Sequence, residues 1–340
     1  MSRGARAASL AVVGLVAVAL AGARGCTPAG AERALGGWPG PRVEALAWSP
    51  DGALLAAGGG GRVRVWDALR WSELDPLQTE EDGPTPWLCF GADGRLFVPT
   101  GRGAQAWDPR RGVRLGEGSG DGPEGTPLAG VSVVVASTSG TSTAEASTGE
   151  VVRLVRPADP GKLEVDGPRG PRTVPCGASL KGAALDPQGR FLALLGSDEE
   201  RGRGQLAVWD LTTNEPPARM PHAGWGAWPA FSPDGQRLAW HDTVRGTLWR
   251  DLSRPEQAGE LEQTGIGYGA RVRLAFSPDG QRLAAASWQA LDVYDLARGA
   301  RVASWRGPKD RADAPAPAWS PDGRLLASGQ GSRVIVWRVP

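Results

Sequence analysis

The sequence predicts an all-β ring of seven four-stranded antiparallel sheets, and three observations carry that prediction. First, a Ser-Pro-Asp-Gly-like turn recurs, with its glycine at Gly52, Gly94, Gly189, Gly235, Gly280 and Gly323. The gaps are 42, 95, 46, 45 and 43 residues, so the long one leaves room for a degenerate unit near residue 141. Second, an aromatic follows each turn glycine. Trp66, Trp249, Tyr294 and Trp337 come 14 residues after it, Trp107 comes 13 after and Trp209 comes 20 after. An aspartate stands next at Asp67, Asp108, Asp210 and Asp295. Third, Gly 50 and Pro 29 of 340 residues supply far more turn-forming positions than average, while 41% hydrophobic residues suffice for a core. Repeats of about 40–45 residues ending in Trp-Asp are four-stranded units that bury their faces only by stacking, as the blades of a β-propeller do.

The chain begins with a segment outside this pattern. Residues 1–23 read as a signal peptide, with Arg3 and Arg6 before an apolar run, Ala8 to Gly22. That run is shorter than the roughly 20 residues a spanning helix prefers. Ala21-Gly22-Ala23 fits a small-x-small cleavage site. Cys26 resembles the lipid-attachment site of bacterial lipoproteins. Gly25 fits the usual box, Ala23 matches its leucine weakly and Arg24 departs from it. Lipidation at Cys26, ordinary cleavage after Ala23 and an uncleaved anchor are the three readings. Residues 24–30 form a short tether, and residues 31–340 form the ring.

The first unit shows how residues specify a blade. Val43 to Trp48 is the first strand. In the turn Ser49-Pro50-Asp51-Gly52, proline restrains φ and glycine accepts the positive φ that closes a hairpin. Ala53 to Gly58 is apolar without alternation, as expected of a strand covered on both faces. Gly59-Gly60-Gly61 makes the second turn, Arg62 to Trp66 the third strand and Trp71 to Leu77 the outer fourth. Alanines recur in second strands (Ala56, Ala57, Ala239, Ala284 to Ala286, Ala327), which suits blades that narrow toward the axis. The aromatics ending third strands are expected to fill the gaps between blades.

The third unit is the weakest copy. Val131 to Ala136 precedes Ser137-Thr138-Ser139-Gly140 in the turn slot, and Val155 replaces the aromatic. The last unit ends at a third strand, "RVIVWRVP". Ala31 to Trp38 has no sheet of its own and is expected to complete it, so that both chain ends share one blade.

These landmarks resemble the WD-repeat β-propeller family over about residues 31–340. That family usually carries a Gly-His pair before each first strand and an Asp before the third. Here only His222 occupies the histidine slot, Cys176 holds the matching slot one unit earlier, and most blades lack both features. The resemblance therefore implies a divergent, bacterial-type member without most of the usual side-chain network, apart from an expected pairing of His222 with Asp242. It implies a scaffold for protein partners.

Residue chemistry argues against most other classes. The net charge is +1 and arginines alternate with acids and glycines, so nucleic acid is not an expected partner. The chain has two histidines. His222 belongs to the repeat slot and His241 follows a second strand, which leaves no Ser-His-Asp arrangement to propose. Three cysteines with no C-x-x-C make neither a disulfide framework nor a zinc site, and Cys89 in an apolar strand reads as a small buried side chain. "GEGSGDG" at Gly116–Gly122 has no helix pattern after it and reads as a connector. No catalytic residue, cofactor or metal is expected, the chain should be a monomer, and membrane contact is expected only through the N-terminus.

Candidate partner-binding residues lie where the pattern lapses. Glu80, Glu81 and Asp82 fall between the first two units. Asp198, Glu199, Glu200 and Arg201 fall in the insertion that gives the fourth unit its spacing of 20. Both connection types share one face of such a ring, and loop insertions on a rigid scaffold are where binding concentrates. Solvated loops are the alternative. Trp225 and Trp288, near connections, are either exposed anchors or inward packers. A site at the mouth of the central channel, catalytic or ligand-binding, is the competing hypothesis and would need acids or histidines converging from several blades. A structural lipoprotein without a specific partner is the third reading.

Overall fold

The computed structural model describes residues 30–36, 42–77, 79, 85, 87–100, 103–118, 131–136, 143–148, 154–159, 162–167, 169–175, 180–198, 203–222, 228–261, 272–306 and 317–340. The N-terminal strand is β1 (Ala31–Leu35). Blade one holds β2 (Ala45–Trp48), β3 (Leu54–Gly59), β4 (Arg62–Asp67) and β5 (Ser72–Glu73). Blade two holds β6 (Cys89–Phe90), β7 (Leu96–Thr100), β8 (Gly103–Asp108) and β9 (Val113–Gly118). The third unit holds β10 (Val131–Ala136), β11 (Thr143–Thr148), β12 (Leu154–Asp159), β13 (Lys162–Gly167) and β14 (Gly170–Pro175). Blade four holds β15 (Leu180–Leu185), β16 (Phe191–Asp198), β17 (Arg203–Asp210) and β18 (Ala218–His222). Blade five holds β19 (Ala230–Phe231), β20 (Arg237–Asp242), β21 (Gly246–Asp251) and β22 (Ala258–Leu261). Blade six holds β23 (Arg273–Phe276), β24 (Arg282–Ala286), β25 (Ala290–Asp295) and β26 (Ala300–Arg306). Blade seven holds β27 (Ala318–Trp319), β28 (Leu325–Gln330) and β29 (Arg333–Arg338), and β1 completes it beside β29.

The innermost strands stand in a closed ring. β2 lies beside β27 and β6, β6 beside β11, β10 beside β15, β15 beside β19, β19 beside β23, and β23 beside β27. The expected closure is present as well. β1 runs antiparallel to β29 with Ala31 opposite Trp337 and Leu35 opposite Val334, and Glu32 accepts two bonds from the Arg338 guanidinium, at 3.1 and 3.3 Å.

The third unit departs from the four-stranded antiparallel plan. Its sheet has five strands in the order β11-β10-β12-β13-β14, and β10 pairs in parallel with β12. The physical reason lies in the strand sequences. The apolar, β-branched run VSVVVA suits an interior strand paired on both sides, and the polar TAEAST takes the edge. Val155, the residue in the aromatic slot, therefore pairs with Val134 and Val165 and not with a second strand.

Apolar clusters among the described residues occupy the seams between blades. One of them joins Leu35, Trp48, Leu55, Trp66, Val334 and Val336 across blades seven and one. Another joins Ala284, Leu291, Val293, Trp319, Ile335 and Trp337 across blades six and seven. The second-strand alanines Ala56, Ala57, Ala239, Ala284, Ala285 and Ala327 are fully buried, as the taper requires. Trp66, Trp107, Tyr294 and Trp337 are buried at their seams, whereas Trp209 and Trp249 are half-buried. In those two cases a guanidinium, from Arg172 and Arg237 respectively, covers the ring.

Candidate functional site

The ring presents two faces and a channel. The first face is built from the Pro-Gly turns. In blade one the Gly52 amide donates to the Ser49 carbonyl at 2.8 Å, and Gly52 has φ 69°. The Ser49 hydroxyl donates to Asp51 at 2.5 Å and accepts from the Leu54 amide at 2.8 Å. The same arrangement recurs at Ser232, Ser277 and Ser320. The remaining turn glycines, Gly94, Gly189, Gly235, Gly280 and Gly323, likewise have φ between 66° and 80°. Successive turns also touch: a Cβ on Gly52 would meet Pro321 of blade seven, and one on Gly280 would meet Pro233 of blade five. The Ser49 hydroxyl, then the Ala53 amide, hold the Asp51 carboxyl below its usual range, and Ser320 does the same for Asp322.

The aspartate of each Trp-Asp end caps the next turn on this face. Asp67 accepts from the amides of Leu69 and Arg70, Asp108 from Arg110 and Arg111, and Asp210 from Thr212. In blade five the aspartate is displaced by one residue, yet Asp251 performs the same task for Ser253 and Arg254. The four residues after Asp108 and Asp295 end at Gly112 and Gly299 with positive φ, but blade one places Trp71 there at φ 56°. The Trp71 ring stands edge-on to Trp48 at 6.2 Å, and this packing offsets the strained backbone.

The channel encloses about 420 Å³. Aromatic side chains (Trp48, Phe90, Phe231, Phe276, Trp319) and turn prolines dominate its wall. The indoles of Trp48 and Trp319 each reach to the preceding blade, donating to the Ala318 and Ala275 carbonyls at 3.1 Å. Glu44 and Arg273 are the charged side chains among the described lining residues. Glu44 accepts from the Thr85 amide at 2.5 Å, and the Arg273 guanidinium lies 3.4 Å from the Trp228 ring centre. The channel-mouth hypothesis called for several converging acids or histidines, and the described lining offers this one acid and this one base. His241 lies inside blade five, buried, with Nδ1 3.2 Å from the Thr247 hydroxyl. Cys89 also lines the channel, and burial pushes its thiol up.

A buried acid that the repeat pattern did not flag is Asp292 on β25. It faces Arg301 at 3.6 Å and the Tyr294 hydroxyl at 3.5 Å, and it also bonds the Ser304 side chain. Burial outweighs these partners and pushes the carboxyl up. A raised folded pKa stabilises the fold fully below the unfolded value near 3.9 and loses that contribution as pH rises through the folded value. Asp292→Asn stays neutral throughout, so urea unfolding should show it gaining on the wild type as pH rises above about 4. A pH-independent difference would refute the assignment.

The opposite face carries the second-to-third-strand hairpins and the connections between blades. β16 and β17 have eight residues each, whereas these strands have five or six residues in the other four-stranded sheets. The two added residues per strand extend this hairpin by roughly 7 Å. Asp198 ends β16 opposite Arg203, and the candidate residues Glu199, Glu200 and Arg201 lie outside the described residues. Glu80, Glu81 and Asp82 also lie outside them, as do Cys26, Cys176, Trp225 and the side chain of His222 with its expected Asp242 contact. Asp242 itself accepts from the Val244 and Arg245 amides. Trp288 packs partly inward against the cluster of blades five and six. Among the described residues no group of acids, histidines or cysteines could hold a metal ion, and no helix is long and apolar enough to cross a membrane.

Fold and turns together define a seven-bladed β-propeller. A family model for the WD domain, G-beta repeat, matches residues 32–67 and 314–338, the two stretches that meet where the ring closes. Among solved structures, a chain of "Crystal Structure of Mitotic Checkpoint Complex" superposes with a TM-score of 0.60 at 18% identity, over 99% of both chains. At that identity the likeness carries the fold alone. A search of curated protein sequences finds no match.

Proposed function

We propose that this propeller is a non-catalytic scaffold that presents the loops of its hairpin face to a protein partner at a bacterial cell envelope. The observation that carries the reading is the long β16–β17 hairpin with its acidic end, which extends beyond the corresponding hairpins of the other four-stranded sheets. Propellers with WD-type repeats commonly serve as interaction scaffolds, and the structural relative comes from a protein complex. Export rests on residues 1–23, and anchoring rests on Cys26. Affinity capture from envelope extract should recover a partner with the wild type and lose it when Asp198, Glu199 and Glu200 are changed to Ala. An unchanged partner set would remove the hairpin from consideration. Labelled palmitate should enter the wild type and not Cys26→Ala.

A further inference from the structure

We propose that the central channel binds a small apolar carboxylate, with the anion on Arg273 and the apolar part packed toward the Pro-Gly face; this goes beyond the scaffold reading and does not depend on it. The channel changes character along its length. At the Pro-Gly end stands the aromatic collar, whose two indoles are spent on carbonyls of the preceding blades. The turns crowd together there: Cβ atoms on Gly52, Gly280 and Gly323 would meet Pro321, Pro233 and Pro278 at 3.6, 3.8 and 3.8 Å. One residue further along the inner strands comes a belt of alanines, of which Ala47, Ala275 and Ala318 are half-buried and line the channel. Arg273 lies two residues beyond Ala275 on β23, about 7 Å nearer the hairpin face. A volume of about 420 Å³ is within the usual range for small-molecule sites, which are mostly apolar with a few fixed polar groups. The described wall comes from blades one, two and four to seven.

The two charged side chains of this wall decide the sign of the ligand. Glu44 is exposed at the hairpin-face end, and its Oε2 accepts from the Thr85 amide at 2.5 Å and the Gly60 amide at 3.4 Å, so the protein itself meets its charge. Arg273 is half-buried. Its guanidinium lies 3.4 Å from the ring centre of Trp228 of blade five, a side chain 5% exposed. Stacking engages the flat face of the guanidinium, whereas its N–H donors lie in the plane, in the fork that matches a carboxylate. Partial removal from water makes such a pair stronger than one at the surface. From Arg273 to Phe276 of the aromatic collar is about 10 Å of strand, and the alanine belt lies between them. A ligand whose carboxylate meets Arg273 therefore lays its apolar part over the belt and against the collar.

The test is calorimetric titration of the purified protein with octanoate, octanol and octylammonium, three probes that share one chain and differ in charge. Octanoate should bind at one site, about tenfold or more tighter than either of the others. Arg273→Met keeps an unbranched stem and removes the charge; it should weaken octanoate by about tenfold and leave octanol unchanged. Ala275→Leu fills the belt and should abolish binding with an unchanged thermal midpoint, and Ala47→Leu makes the same obstruction from blade one should the first variant not fold. Absence of octanoate binding, equal binding of octanoate and octanol, octylammonium binding as tightly as octanoate, or octanoate binding untouched by Arg273→Met would each overturn the assignment. The scaffold reading is tested separately, by partner capture with the hairpin variants.

Discussion

Deleting Ala31–Leu35 will lower the thermal unfolding midpoint by roughly 10 °C, because the deletion opens the ring at the sheet pairing that joins its two ends. Three contributions are lost together. Leu35 leaves the blade-seven-to-one seam, where full burial of a leucine stabilises by about 1.5–3 kcal/mol. Ala31 and Ala34 leave the neighbouring seam. The backbone bonds to β29 disappear, at roughly 1 kcal/mol each net. The apolar strand RVIVWR then becomes an open edge, so the truncated chain should also aggregate on heating. Moving Ala31–Leu35 to follow Pro340 through a short turn should restore the midpoint, since β1 pairs with β29 as a hairpin partner would. A truncated chain with an unchanged midpoint would refute the latch.

The second large effect is expected at Trp337. It is 1% exposed, donates to the Ser328 hydroxyl at 2.8 Å and stacks on Trp305. Trp337→Ala should cost about 3–5 kcal/mol by urea denaturation, since it removes a buried ring and leaves the Ser328 oxygen without its donor. A double-mutant cycle with Trp305→Ala should give a coupling of about 0.5–1.5 kcal/mol. Trp209→Ala should cost less, because that ring is half-buried and its indole nitrogen has no hydrogen-bond partner among the described residues. Equal losses at both positions would show that the repeat slot, and not the local packing, sets the energetics.

Much of the ring was legible because its signals are local. Each turn glycine adopts the positive φ that the Pro-Asp-Gly spacing requires, and the strand bounds of blade one fall within a few residues of expectation. The fourth strand of that blade is shorter than expected, with β5 covering Ser72–Glu73 and a single further bridge from Val63 to Leu77. The aspartate after each tryptophan was visible as a landmark but not as a cap, since its partners are amides of the following turn. The third unit was recognisable as degenerate. Its parallel pairing was not, because two apolar strands of similar length do not state which neighbour they choose.

By itself the sequence determined the number of units, the turns that join their strands and the need for the N-terminal strand to close the last one. These follow from residue-by-residue backbone preferences and a period that repeats along the chain. Only the tertiary structure decided which tryptophans are buried, that Trp48 and Trp319 bind the preceding blade, and that Asp292 sits buried with its carboxyl pushed up. Those properties depend on which strand of one blade faces which strand of the next. That is set by closing the ring, a contact between residues some 300 positions apart that no local pattern records.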